Sequence, residues 1–333
     1  MPTIKEVAEL AGVSQATVSR VINSNPKVAP ANQKKVHAAM TSLGYQPNSF
    51  AQALASNRSY SIGMVVGTLS GPFYGPLMHS AEEGLRAQGQ HLIVTSGGDR
   101  LEQERDAIRF LLSRRVDALI LHLSAMGDEE ILELSRAKTP LVLVNRYIPE
   151  ISSQCVYFDN EYGGYLATKH LLELGHRQIA TITGPLAKHD SRERLAGYRR
   201  ALHEFGLDLN PNLLVEGYFE EDGGRLAMQK LLDRKQRFTA LFCGNDHIAL
   251  GAYDLAAENG LVIGNSLSLV GFDDMVFSNY LRPKLSSIHV PVADMGSAAA
   301  AKALQMVSGT MPQFETQIRP RLVQRDSSAK LSL

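Results

Sequence analysis

Cysteine is almost absent from this sequence, with only Cys155 and Cys243 in 333 residues, far apart and each inside an apolar run. Two such positions supply no disulfide framework and read as buried, reduced thiols. No apolar run approaches the ~20 residues that span a bilayer, and the N-terminus lacks a charged-then-apolar leader pattern. A cytoplasmic protein with no membrane partner is expected. No Gly-x-Gly-x-x-Gly follows a strand-like run and no phosphate loop ending in Gly-Lys-Ser or Gly-Lys-Thr is present, which argues against a nucleotide-using α/β enzyme. Gly97-Gly98 reads more simply as a turn. The ten His residues are scattered without metal-ligand spacing to an acid or thiol, His170 and His176 standing six apart. Neither catalysis, nor a metal, nor a cofactor is expected.

Net charge is also missing, since 34 Lys and Arg balance 34 Asp and Glu. Spread evenly, that balance would argue against nucleic acid. It is uneven: residues 1–60 hold six basic side chains (Lys5, Arg20, Lys27, Lys34, Lys35, Arg58) against two acids (Glu6, Glu9), so the rest of the chain is acidic. A small basic head on an acidic body is the charge layout of a DNA reader attached to something else. The length, with 44% hydrophobic and 20% charged residues, is that of a well-buried protein of two or three domains.

Residues 3–22 read as two short helices hinged at Gly12. Thr3 and Glu6 form a capping box that starts the first helix, Gly12 supplies the positive φ of a tight turn, and Ser14 caps the second. On the second helix Val18, Val21 and Ile22 share a packing face, while Gln15, Ala16, Ser19 and Arg20 share a free one. An amide, a small residue, a hydroxyl and a guanidinium suit the major groove, where Arg takes guanine bidentately and Gln takes adenine. A third helix follows over Gln33 to Leu43 and ends at Gly44, and Ile4, Val7, Val18, Ile22, Val36 and Met40 make a small, marginal core. Beyond Tyr45-Gln46-Pro47-Asn48, residues 48–58 have helix formers and an apolar pair, Phe50 and Leu54. A helix of two to three turns is unstable alone and should order on contact, with Leu54 placed to wedge into the minor groove.

From Ser61 the texture becomes apolar runs alternating with helical stretches: 62–66, 92–95, 118–121, 141–144, 156–158, 179–182, 213–215, 240–243 and 267–270, with helices near 161–174, 192–205, 223–232 and 245–258. Strand then helix, repeated, means parallel sheet, and about nine strands fit two lobes better than one. Ligands of such sheets sit beyond the carboxyl ends of strands. There lie Ser70 to Tyr74, Asn145-Arg146, Asp190 to Arg194, Tyr218-Phe219, Asn245-Asp246 and Asp273-Asp274. Aromatic rings stack on sugar C–H faces, and Asp, Asn and Arg hold hydroxyls with discriminating polar bonds. Each residue also has a plainer use: Asn245 as a helix cap, Asp273 in a turn, Phe73 in the core.

Over essentially its full length the chain resembles the lactose- and galactose-repressor family of bacterial transcription regulators. The carrying motifs are Ile4 to Ile22, Leu43-Gly44-Tyr45-Gln46-Pro47-Asn48, Glu173-Leu174-Gly175-His176, Arg194-Leu195-Ala196-Gly197-Tyr198, Asn245-Asp246 and Gly271-Phe272-Asp273-Asp274. It is more similar to regulators of galactose or β-glucoside use than to the purine regulator. The resemblance implies an all-α helix-turn-helix head (1–46), a hinge-helix linker (47–59) and an effector-binding domain (60–333). That domain would be α/β, with two doubly wound parallel-sheet lobes of the periplasmic-binding-protein type, 60–159 with 291–318 and 160–290 with 319–330. Gln15, Ala16 and Arg20 would read bases, with Thr17, Ser19 and Asn23 near phosphates or sugars, Leu54 intercalating, and Thr3 and Lys27 completing the DNA-binding set. Phe73, Arg146, Arg194, Phe219, Asn245 and Asp273 would contact a small effector, a sugar before a purine base. Ala29, where the family commonly has a capping Ser, departs from the pattern at a cost of ~1 kcal/mol. The last residues show no heptads, so a homodimer reading a near-palindromic operator is expected. A two-lobed solute-binding protein is the rival, opposed by the basic head and the missing leader.

Overall fold

In the computed structural model residues 2–22, 25–46 and 58–331 are described, and the chain divides into two units, Met1–Tyr60 and Ser61–Leu333. The linker helix expected at 47–59 falls almost wholly outside the described residues, as do Asn23 and Leu54.

The first unit is built from α1 (Ile4–Ala11), α2 (Gln15–Ile22) and α3 (Pro30–Leu43). The capping box forms as read: Thr3 N–H donates to Glu6 Oε2 (2.6 Å) and Glu6 N–H donates to Thr3 Oγ1 (3.3 Å), satisfying amides that have no partner inside the helix. Gly12, at φ 64°, closes α1, and Ser14 Oγ accepts from Thr17 N–H at 3.2 Å to start α2. α3 begins three residues earlier than the apolar pattern indicated, because Pro30 occupies its first turn with φ already set for helix. Ala29 before it makes no side-chain capping bond. Val7, Val18 and Val36 are fully buried, joined by Ala8, Ala11, Val21, Val28 and Ala39, while Ile4, Ile22 and Met40 pack at the margin of this core.

The second unit has two six-stranded sheets. In chain order its elements are β1 (Ser61–Val66), α4 (Tyr74–Arg86), β2 (His91–Ser96), α5 (Leu101–Ser113), β3 (Ala118–Leu121), α6 (Asp128–Ser135), β4 (Leu141–Val144) and β5 (Cys155–Phe158). There follow α7 (Asn160–Glu173), β6 (Ile179–Thr183), α8 (His189–Glu204), β7 (Leu214–Glu216), α9 (Glu221–Asp233), β8 (Ala240–Cys243), α10 (Asp246–Glu258), β9 (Ser268–Asp273), β10 (Ser286–His289), α11 (Val292–Val307), β11 (Thr316–Ile318) and β12 (Arg321–Val323). The first sheet runs β2-β1-β3-β4-β5-β11, all parallel; the second runs β7-β6-β8-β9-β10-β12, parallel except for the last pair. The chain therefore passes between lobes three times, after β5, after β10 and after β11.

Strand periodicity explains the layers. Ile62, Met64 and Ile120 face α4 and α11, whereas Val65, Leu119 and Leu121 face α5, so each central strand is apolar on both sides. The core under α4 and α11 continues into the second lobe, where Phe272 meets Phe158 edge to face at 5.8 Å. Both cysteines are free and buried. No helix among the described residues is long and apolar enough to cross a membrane.

Three strands escaped the pattern reading: β10, β11 and β12. β10 is half serine, and its buried hydroxyls are satisfied by partners no sequence window contains. Ser286 Oγ lies 2.8 Å from Ser328 Oγ, and Ser287 Oγ donates to Asp246 at 2.6 Å. β11 and β12 are three-residue edge strands with polar faces.

Candidate functional site

Two sites stand out, one in each unit. On α2, Gln15, Ala16 and Arg20 are exposed side by side while Val18 and Val21 are buried beneath them. Ser19 is half-buried, and Thr17 Oγ1 lies 2.9 Å from Ser14 Oγ at the helix start. Thr3 is exposed but tied into its capping box, which also holds the Glu6 carboxyl below its ordinary range, chiefly through the Thr3 backbone N–H. Lys27 is exposed, and its N–H donates to Asn25 Oδ1 at 3.0 Å. The head thus presents a guanidinium and an amide on a helix whose opposite face is locked into a core, the arrangement a groove-reading helix needs.

In the second unit a cavity of about 460 Å³ opens between the carboxyl ends of the two sheets. Phe73, Tyr74 and His122 form a cluster on the first-lobe wall, with ring centroids 5.2–6.0 Å apart in edge-to-face pairs. Phe219 forms part of the opposite wall, seated against Gly184, where a Cβ would run into its ring.

Arg194 is the central side chain of the second-lobe wall. It is 5% exposed, with Nε donating to Asn160 Oδ1 (3.0 Å), Nη1 donating to the Gly244 carbonyl (2.6 Å), and Nη2 lying 3.4 Å from Asp273 Oδ1. Its guanidinium also lies over Phe272 at 3.7 Å and Phe219 at 5.6 Å. It reaches this place because α7 and α8 approach very closely: a Cβ on Gly164 would strike the Arg194 carbonyl, and one on Gly197 the Glu161 carbonyl.

Asp273 ends β9 in a left-handed conformation, φ 100°. Burial pushes its carboxyl up to about 7 against the pull of Arg194, with the nearby Asp246 and Asp190 charges adding to the rise. Asp246, fully buried behind it, is pushed up by burial to about 6, although Met275 N–H, Ser278 Oγ and Ser287 Oγ all donate to it. It thereby fixes the turn that carries Asp273 and Met275. Asn245 has the double use its position suggested: Oδ1 caps α10 through Ile248 N–H (2.8 Å), and Nδ2 donates to the Phe219 carbonyl at 3.4 Å beside the cavity.

Of the expected effector residues, Phe73, Arg194, Phe219, Asn245 and Asp273 come together around this cavity. Arg146 does not line it; its guanidinium donates to the Met126 carbonyl (2.7 Å) and to Asp128 (2.5 Å), while its neighbour Asn145 reaches the wall. Sequence reasoning missed Asp99, His122, Lys188 and His247. The rule already in use could have found two of them, since Asp99 follows β2 and His122 follows β3 directly. Among the described residues no group of three His, Cys, Asp or Glu side chains is placed to hold a metal.

A helix-turn-helix head and a two-lobed body with a ligand-sized cleft define a DNA-binding regulator that carries a small-molecule pocket. Residues 3–48 match the model for bacterial regulatory proteins of the lacI family, and residues 59–330 match that for periplasmic binding proteins and the sugar-binding domain of the LacI family. The chain belongs to the LacI family of transcription regulators. It is 39% identical to the HTH-type transcriptional regulator GalR of Escherichia coli K12, over 100% of this chain and 97% of that one. Its fold is similar to that of the Lac repressor dimer bound to operator and the anti-inducer ONPF (TM-score 0.90, 30% identity, 98% of this chain and 99% of that one). It is also similar to a complex of the transcriptional regulator CelR with cellobiose (TM-score 0.74, 31% identity, 98% and 100%). These relatives are regulators rather than enzymes.

Proposed function

We propose that this chain is a dimeric transcriptional repressor whose affinity for a near-palindromic operator is set by a small sugar held in the cleft. The observation that carries the effector class is the cavity wall itself. Aromatic rings on both lobes, Phe73 and Phe219, line the cavity together with the polar side chains of Asn245, Asp273 and Arg194. Flat C–H faces stack on the rings while hydroxyls bond the carboxylate and amide, and a site built that way rejects analogues lacking the hydroxyls. Arg146 joins this set only if ligand draws it away from Met126 and Asp128. In the head, Gln15, Ala16 and Arg20 read base edges, Thr17, Ser19 and Asn23 lie near phosphates or sugars, and Thr3 and Lys27 complete the DNA-binding set, while Leu54 of the linker wedges into a base step. These groups lie at 1–46 and 47–59, with the effector unit at 60–333 and its lobes divided at 159/160, 290/291 and 318/319.

Sugar and operator are coupled by population shift: the sugar must bind two lobe arrangements unequally to change DNA affinity. Support for a dimer comes from the Lac repressor dimer bound to operator, and support for a sugar from CelR with cellobiose. A thermal-shift screen of the purified protein against free sugars, β-glucosides, sugar phosphates and purine bases tests the class, because a ligand at a hundred times its Kd adds ~2.7 kcal/mol of stability. A hit among sugars supports the reading. A response to purines alone overturns it for the cleft and leaves the head untouched.

A further inference from the structure

Among the described residues two Lys or Arg side chains line the cleft, Lys188 and Arg194, and both are engaged by protein. Arg194 has its three partners in the second lobe. Lys188, just before α8, reaches across to the first lobe, where its Nζ donates to Asp99 Oδ2 at 2.6 Å. The pair is partly shielded, 23% and 33% exposed, and the Lys188 ammonium also lies 5.5 Å from the centre of the Phe219 ring. Asp99 sits in the turn after β2 at φ 54°. Burial raises the Asp99 carboxyl, but Lys188, Ser124 and the His122 ring more than offset it, leaving the group below its ordinary range and charged at neutral pH.

The remaining charge around the cavity is negative. Asp190, Glu220 and Glu221 line it together with Asp273, and His247 is paired with Glu221 at 2.8 Å. An anionic group entering this space meets carboxylates and finds no cation without a partner among the described residues.

We propose that Asp99 is a specificity residue: by neutralising Lys188 across the two lobes it makes the cleft refuse anionic ligands, phosphorylated sugars among them, and admit uncharged ones. This deepens the sugar reading above and rests on it for the identity of the admitted ligand, but not for the exclusion of anions. An ammonium freed of Asp99 would lie beside Phe219, within the wall that the ligand touches. Burial makes that charge count for more than it would in water, because screening is weak inside the cleft.

The test uses the full chain with Asp99→Asn, Lys188→Met and the double variant, titrated with inorganic phosphate at constant ionic strength by calorimetry. Asn is tolerated at positive φ, and Asp99→Gly, which accepts the same backbone, serves as a second way of removing the carboxylate. Both Asp99 variants should bind phosphate at least tenfold more tightly than the parent, Lys188→Met should gain nothing, and the double variant should lose the gain. The basic head is common to all of them, so its own affinity for phosphate cancels. Equal phosphate affinity in parent and Asp99 variants overturns the proposal, as does a gain that survives in the double variant. The same proteins titrated with the uncharged sugars of the screen separate the two readings. A phosphate gain without sugar binding removes the sugar and keeps the selector. Sugar binding without a phosphate gain does the reverse.

Discussion

Replacing Asp273 by Asn should stabilise the effector unit, and by an amount that grows with pH. An ordinary carboxyl titrates near 3.9, whereas Asp273 is held up at about 7 by burial and by the Asp246 and Asp190 charges. For an acid raised in the folded state, the unfolded chain loses its proton first, so stability declines as pH rises from the ordinary carboxylate range to about 7. At 1.36 kcal/mol per unit, Asp273 costs the fold a few kcal/mol at pH 8 and much less at pH 5. Asn keeps the shape, tolerates the left-handed backbone and carries no charge. The advantage of Asp273→Asn over the parent should therefore grow by about 2–3 kcal/mol between pH 5 and pH 8, read as an increase of about 5 °C in the difference of Tm. The same variant should lose sugar binding, since an acceptor carboxylate has become an amide. A Tm difference that stays flat from pH 5 to pH 8 would refute the claim that a charge is held there at the fold's expense.

The remaining predictions concern the head and the linker. Ala29→Ser supplies the missing cap before Pro30 and should raise the stability of the first unit by ~1 kcal/mol, measured by urea denaturation followed through helical circular dichroism. Thr3→Ala should act in the opposite sense by a similar amount, because it removes the hydroxyl that accepts from Glu6 N–H. Arg20→Ala should leave that denaturation midpoint unchanged while reducing discrimination between operator and mismatched DNA by tenfold or more in gel-shift titrations. Leu54→Ala should weaken specific binding more than non-specific binding; an equal loss in both would reduce Leu54 to a linker residue.

The head was legible because its signals are local. Thr3, Glu6, Gly12 and Ser14 act within one turn of themselves, and the structure repeats each of their roles. Strands of the two lobes were legible where both faces are buried, as at 62–66 in the first and Ala240–Cys243 in the second, since the apolar run is then continuous. β10 was hidden because Ser286 and Ser287 are buried by pairing with Ser328 and Asp246, contacts separated by about forty residues of chain. The cleft was partly legible: counting beyond strand ends found Phe73, Asn245 and Asp273 but passed over Asp99 and His122, which obey the same rule. Lys188 carries no signal in its own stretch, since its partner lies 89 residues away across the cavity. Arg146 shows the opposite case, a guanidinium beside a cleft that is taken up by a neighbouring carbonyl and carboxylate, Met126 and Asp128, which its own stretch of sequence does not announce.

A sugar in the cleft and an operator on the head should be energetically coupled. Fluorescence anisotropy of the full chain on an operator obtained by in vitro selection, with and without a saturating amount of the sugar found in the thermal-shift screen, measures that coupling. The sugar should change operator affinity by tenfold or more while leaving affinity for random DNA nearly unchanged, in keeping with couplings of about 1–3 kcal/mol. An operator affinity identical with and without saturating sugar would contradict it.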